Sequence, residues 1–140
     1  MGLTITSTHP IHTFDMSCGG FFILRKNIAL ALDKEFGENY ALLSQCSCEE
    51  DFKENYERAN KIINRKYLEI KYSKDVIDFL YMSDLEGSIS YKTCGKIYYL
   101  IKDVDFKIGF RYAAYMHNDF EEFKEFLLDC YSNRKKMRWY

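Results

Sequence analysis

The stretch His9-Pro10-Ile11-His12-Thr13-Phe14-Asp15-Met16-Ser17-Cys18-Gly19-Gly20-Phe21-Phe22-Ile23-Leu24-Arg25-Lys26-Asn27 decides how the chain is read. It holds the single proline, two of the three histidines and the one Gly-Gly pair, and it runs directly into an apolar period. Phe21, Leu24, Ile28, Leu32 and Phe36 recur at three and four residues, while Arg25, Lys26, Asp33, Lys34 and Glu35 fall largely elsewhere. That spacing predicts one amphipathic helix over 21–36, stopped by Gly37.

A polar loop delivered onto a helix N-terminus presents unpaired backbone N–H groups and the positive end of the helix dipole, a seat for an anionic or polar ligand. Gly19 and Gly20 let the backbone approach such a ligand, Ser17 adds a hydroxyl, and Arg25 or Lys26 can neutralise its charge. The same glycines also suit a tight loop and close helix packing, and both readings stay open here. Neither GxxxxGK[ST] nor GxGxxG accompanies them, so no nucleotide-binding fingerprint is met.

Working outward, Gly2-Leu3-Thr4-Ile5-Thr6 alternates like a half-buried strand, and Met137-Arg138-Trp139-Tyr140 is a second strand that can pair with it. Tyr40 to Glu50 reads as a loop or short helical turn. From Asp51 a helix with Phe52, Tyr56, Ala59, Ile62 and Ile63 on one face should end near Lys66. Ser73 is a good N-cap for a helix carrying Val76, Ile77, Leu80 and Tyr81, and Ser90 for one carrying Cys94, Ile97, Tyr98 and Ile101. Asp103 to Asn118 reads as a loop turning into helix, and Asn118 or Asp119 caps a last helix with Phe120, Phe123 and Leu127 inward. The expectation is an α+β fold, mostly α: one domain over 1–140, with about five helices and a two-stranded sheet pairing the N- and C-termini.

Composition narrows the function classes. Twelve Tyr and eleven Phe with 47% apolar residues describe a folded chain rather than a disordered one. Twenty basic residues balance twenty-one acidic ones, which removes the broad attraction on which nonspecific nucleic-acid binding depends. No apolar run approaches a membrane span and no secretory signal opens the chain, so no membrane association and a cytoplasmic location are expected. Five cysteines, an odd count, then read as reduced thiols.

Three other motifs yield to simpler readings. His9, His12 and Cys18 lack a fourth ligand, and Pro10 disfavours the helix that would align the histidines, so no metal or cofactor is expected. Ser83-Asp84-Leu85-Glu86-Gly87-Ser88-Ile89-Ser90 is similar to the centre of a calcium loop, but Met82 and Thr93 stand where its first and twelfth ligands belong. A turn between helices accounts for it. Cys18 carries no local signature of a cysteine enzyme, and HExxH and GxSxG are missing, so a non-enzymatic protein is expected.

Met1-Gly2-Leu3, then Gly20-Phe21-Phe22-Ile23-Leu24-Arg25, then Ser83-Asp84 to Ser90, then the helix around Phe123 to Cys130 together resemble a group of small uncharacterised bacteriophage and prophage proteins. Thr4, Leu24 and Glu86 depart from that pattern, which favours an acidic residue, an aromatic and Asp there. The resemblance implies a phage setting in a bacterial host, where proteins of this size act by binding. The resulting expectation is an anti-defence protein, homo-oligomeric, that sequesters a small anionic ligand such as a nucleotide-derived immune signal. Its expected ligand-binding residues are His12, Ser17, Gly19, Gly20, Arg25 and Lys26, with Arg111 and Tyr112 or Tyr115 as a cation and a stacking face. The alternative is a protein-binding inhibitor of a host defence protein, anchored by surplus aromatics.

Overall fold

The computed structural model describes residues 2–7, 13–104 and 115–140, of which Phe14 and residues 115–119 are described in backbone only. Among them run strands β1 (Gly2–Ser7) and β2 (Phe14–Ser17), then helices α1 (Cys18–Leu32) and α2 (Lys34–Ala41) and a 3-10 turn (Leu42–Gln45). Helices α3 (Glu49–Lys66), α4 (Leu68–Tyr72) and α5 (Lys74–Tyr81) follow, then β3 (Gly87–Ile89), α6 (Tyr91–Ile101), α7 (Tyr115–Ser132) and β4 (Met137–Trp139).

The mostly helical α+β class is therefore the observed one, with β1 and β4 paired antiparallel as Ile5 to Trp139, Thr6 to Arg138 and Ser7 to Met137. The sheet is larger than expected. It has four antiparallel strands in the order β2-β1-β4-β3, because Phe14–Ser17 folds back on β1 and Gly87–Ile89 pairs with β4. Residues Leu3, Ile5, Met16, Ile89, Met137 and Trp139 are buried, alternating with more exposed positions as a period of two demands, except at the end of β1, where Thr6 and Ser7 are buried as well.

The helix count also exceeds about five: seven α-helices occur among the described residues. The apolar stripe over 21–36 is two helices, because Asp33 leaves the helical region at φ −164° and its side chain accepts from the Phe36 N–H, capping α2. Gly37 does not stop the helix. It lies inside α2, where an added Cβ would stand 2.5 Å from Leu30 Cα of α1, so glycine permits close packing of the two helices. Cys48, rather than a residue at 51, caps α3, and α4 is a short helix set between two left-handed backbones, Tyr67 at φ 54° and Ser73 at φ 80°.

The core fills the space between sheet and helices. Phe21, Phe79 and Trp139 meet edge-on or tilted at 5.5–6.0 Å, the arrangement aromatic quadrupoles favour. Gly87 makes room for the indole: a Cβ there would come within 2.2 Å of Trp139 Cζ2.

Candidate functional site

Ser17 is the N-cap of α1, its hydroxyl accepting from the Gly20 N–H at 2.9 Å. The helix thus starts at Cys18, before the glycine pair, and Ser17 already satisfies one of the amides of the expected anion seat. Gly19 is exposed, with no atom within 4 Å of where a Cβ would stand. Lys26 is half-buried further along α1. His12, Arg111 and Tyr112 lie outside the described residues, as do His9 and the side chain of Tyr115.

Arg25 sits elsewhere. Its spacing from Phe21 and Ile28 puts it on the apolar face of α1, where it is 4% exposed. Its guanidinium carbon lies 4.3 Å from the centre of the Phe21 ring, 5.0 Å from Phe79 and 5.7 Å from Trp139. Nη1 donates to Met82 O at 2.7 Å and Nη2 to Ser83 O at 3.4 Å, so the cation closes the C-terminal end of α5, where helix carbonyls lack partners and the dipole is negative. No carboxylate among the described residues is within ion-pair distance of it, and its Nε is buried with no hydrogen-bond partner there. Two of five guanidinium donors are thus committed to carbonyls. Burial pulls its pKa below the ordinary arginine value, while Tyr40 and Asp84 pull it back, and an arginine keeps its charge under such a shift.

Arg25 lines a cavity of about 310 Å³ between α1, α2, α3 and the C-terminal end of α5. Phe21, Phe22, Tyr40, Phe52 and Tyr81 supply its rings. Phe22 stacks on Tyr40 at 5.6 Å, Tyr40 meets Tyr81 edge-on at 5.7 Å, Tyr81 meets Tyr56 edge-on at 5.0 Å, and Tyr56 stacks on Phe52 at 6.3 Å. These contacts make a continuous arc of five rings from α1 to α3. Leu43 and Ser44 of the 3-10 turn and the segment 82–84 complete the wall.

Two phenols of this arc, Tyr40 and Tyr81, are held neutral. Tyr40 donates to Leu80 O at 2.8 Å, and burial pushes its pKa up to about 12 against the opposing influence of Arg25. Burial, with Tyr40 and Tyr56 adding to it, raises the Tyr81 phenol as well, and its buried hydroxyl has no hydrogen-bond partner among the described residues. Two unpartnered buried polar atoms, Arg25 Nε and Tyr81 Oη, therefore belong to residues of the same wall. Native interiors rarely leave such groups unpaired, and ligand sites are a recognised exception.

Other polar clusters are weaker candidates. Ser73, Asp75, Thr93 and Lys96 form a network in which Ser73 Oγ donates to Asp75, Thr93 Oγ1 donates to Asp75 Oδ2 at 2.5 Å and Lys96 Nζ donates to Ser73 Oγ at 2.8 Å. Ser73 does not cap α5 with its side chain, contrary to its expected role, because φ 80° turns its hydroxyl to Asp75 instead. The strained serine beside a lysine invites comparison with a Ser–Lys nucleophile. Lys96 is however ion-paired with Asp75 at 3.2 Å, so its ammonium serves the carboxylate and the network as a structural donor. Cys94 and Cys130 are both buried, and the hydrogen bond between them raises the Cys94 thiol and lowers that of Cys130, a pair enclosed in the core rather than an accessible nucleophile. Among the described residues no three His, Cys, Asp or Glu side chains gather to hold a metal ion. The stretch 83–90 ends in a strand rather than a helix-to-helix turn, since Gly87–Ile89 is β3.

A second depression of about 470 Å³, lined by Glu86, Ser88, Arg138 and Tyr140, opens broadly to solvent along the β3 edge and lacks a buried charge. The cavity at Arg25 is the candidate site. Among the described residues no helix is long and apolar enough to cross a membrane. No family model, curated protein or solved structure matches the chain.

Proposed function

We propose that the protein is a non-enzymatic binding protein that captures a small anionic, ring-bearing molecule in the cavity at Arg25. The observation that carries this reading is a buried guanidinium in the wall of an aromatic cavity, with no carboxylate at ion-pair distance and one nitrogen unpartnered among the described residues. A cation desolvated without a carboxylate gains from an incoming anion far more than a solvated one does, because the surrounding dielectric is low. The rings supply the stacking and edge contacts that hold a planar ligand. Of the expected residues, Arg25 lines this cavity, whereas Ser17, Gly19, Gly20 and Lys26 are not part of its wall. A nucleotide-derived defence signal, captured by a homo-oligomer in a phage-infected bacterium, is the setting that the phage-protein resemblance favours.

The test is to incubate the purified protein with cyclic and ADP-ribose-derived nucleotides and small aromatic acids, wash it, denature it by heat and identify what is released. Release of an unaltered molecule supports capture. A chemically altered product points to an enzyme, and no retention of any of them removes the reading. The second reading, a docking protein for a host partner, rests on large apolar residues left at the surface: Tyr67 and Ile70 around α4, Tyr99 on α6 and Phe52 on α3. Co-purification of one host protein that persists in an Arg25→Met variant would favour it.

A further inference from the structure

The charges of the cavity wall say more about the ligand than its shape does. Of the residues that line it, Arg25 and Asp84 carry formal charge, one of each sign, so the wall is neutral in sum. Asp84 is exposed at the mouth, and it acts on the guanidinium over a distance longer than an ion pair. The carbonyls of Leu80, Met82 and Ser83 at the C-terminal end of α5 already face the three groups that hold them, Tyr40, Arg25 and the Trp139 indole. Those carbonyls and the negative end of the helix oppose a second negative charge entering beside the first. A phosphate dianion would meet one shared guanidinium and one repelling carboxylate.

Resting on the capture reading above, we infer that the anionic group captured at Arg25 is the carboxylate of an aromatic zwitterion of the amino-acid class. The carboxylate would meet the guanidinium of Arg25, the ring would lie within the arc of Phe22, Tyr40 and Phe52, and the ammonium group would face Asp84 at the mouth. One carboxylate against one guanidinium and one ammonium against one carboxylate leave no charge unmatched, which the low dielectric rewards and a polyanion cannot achieve. A volume of about 310 Å³ stands at the small end of small-molecule sites, with room for one ring system and a short polar chain.

Isothermal titration of the full chain with L-phenylalanine, L-tryptophan, 3-phenylpropionate, adenosine monophosphate and inorganic phosphate tests the assignment. L-Phenylalanine or L-tryptophan should bind at least about tenfold more tightly than the nucleotide. Asp84 is exposed, so Asp84→Asn should leave the fold intact; it should weaken amino-acid binding about tenfold and leave 3-phenylpropionate within about twofold of its wild-type affinity. Tighter binding of the nucleotide would overturn the zwitterion and keep anion capture. An equal effect of Asp84→Asn on both acids would overturn the role given to Asp84. Binding of none of the five overturns the zwitterion, and capture itself then stands or falls on the heat-release experiment.

Discussion

The two ends of α5 handle charge in opposite ways. At its N-terminal end Asp75 is matched bond for bond by Ser73, Thr93 and Lys96, and the cluster fastens α5 to α6. At its C-terminal end Arg25 meets carbonyl dipoles, ring faces and the Tyr40 phenol but no ion-paired carboxylate among the described residues, and its Nε has no partner there. Each sign suits its end of the helix dipole, an anion first and a cation last. The difference lies in burial and completeness. The Asp75 side chain is 38% exposed and fully partnered, which describes a joint, while Arg25 is 4% exposed and incompletely partnered, which describes a site.

The largest effect should come from removing the buried cation. Arg25→Met keeps the volume but leaves Met82 O without its charged donor, and it should cost about 1.5–3 kcal/mol in urea denaturation as well as ligand capture. Sequence spacing alone would have let the fold survive this change, because it placed Arg25 off the apolar stripe of a helix, facing a ligand or solvent, rather than under three rings. Unchanged stability would show that the guanidinium does not hold the end of α5.

Alkali probes the same end. Tyr40 is raised to about 12 from an ordinary value of 10.0, so its neutral form is the one the fold prefers. Its contribution is fully present below pH 10 and is lost as pH rises toward 12, a loss on the order of 2 kcal/mol. Tyr40→Phe should flatten the stability profile over that window. A variant that follows the wild-type slope would put the alkaline loss elsewhere.

The other end should respond to acid and respond less. Asp75 is depressed to about 2, through the hydrogen bonds of Ser73, Thr93 and Lys96 acting against desolvation. A depressed carboxylate stabilises above its unfolded pKa near 4 and loses that contribution as pH falls toward 2. Because the group is more than a third exposed, Asp75→Asn at neutral pH should cost no more than about 1 kcal/mol. A loss matching that of Arg25→Met would erase the distinction between joint and site.

The smallest effect is the most diagnostic in sign. Tyr81→Phe deletes a buried hydroxyl that has no partner among the described residues, so it should leave stability unchanged or raise it by up to about 1 kcal/mol. If the hydroxyl instead meets bound ligand, the variant should lose affinity while gaining stability. Thermal melts with and without L-phenylalanine separate the two.

The paired strands at Leu3 to Thr6 and Met137 to Trp139 were legible because alternation over a few residues is a local signal. The capped start at Ser90 was legible, whereas Ser17, read as a hydroxyl for a ligand, is the cap of a helix that begins ahead of where the apolar stripe places it. Asp33 was misread as surface charge within one helix, since an N-cap aspartate inside a continuing stripe looks like any polar-face residue. The strands at Phe14–Ser17 and Gly87–Ile89 are too short for alternation to register. The cavity was out of reach for another reason: its wall gathers residues 21–25, 40–44, 52 and 80–84, and no local pattern joins them. A trace was present. Arg25 stands four after Phe21 and three before Ile28, the spacing of the buried stripe, and a cation on that stripe signals a buried partner.

Gly87, bare beneath the indole of Trp139, has an optical consequence. Trp139 is the one tryptophan of the chain, and its Nε1 donates at 2.9 Å to Ser83 O, the same carbonyl that accepts from Arg25. Indole emission responds to a nearby charge and to the strength of its own hydrogen bond. A ligand that draws the guanidinium toward itself loosens one of two claims on that oxygen, and the other claimant should report it as a shift in colour. The fold thus carries an unlabelled gauge of its own cavity, readable in a cuvette before the identity of any ligand is known.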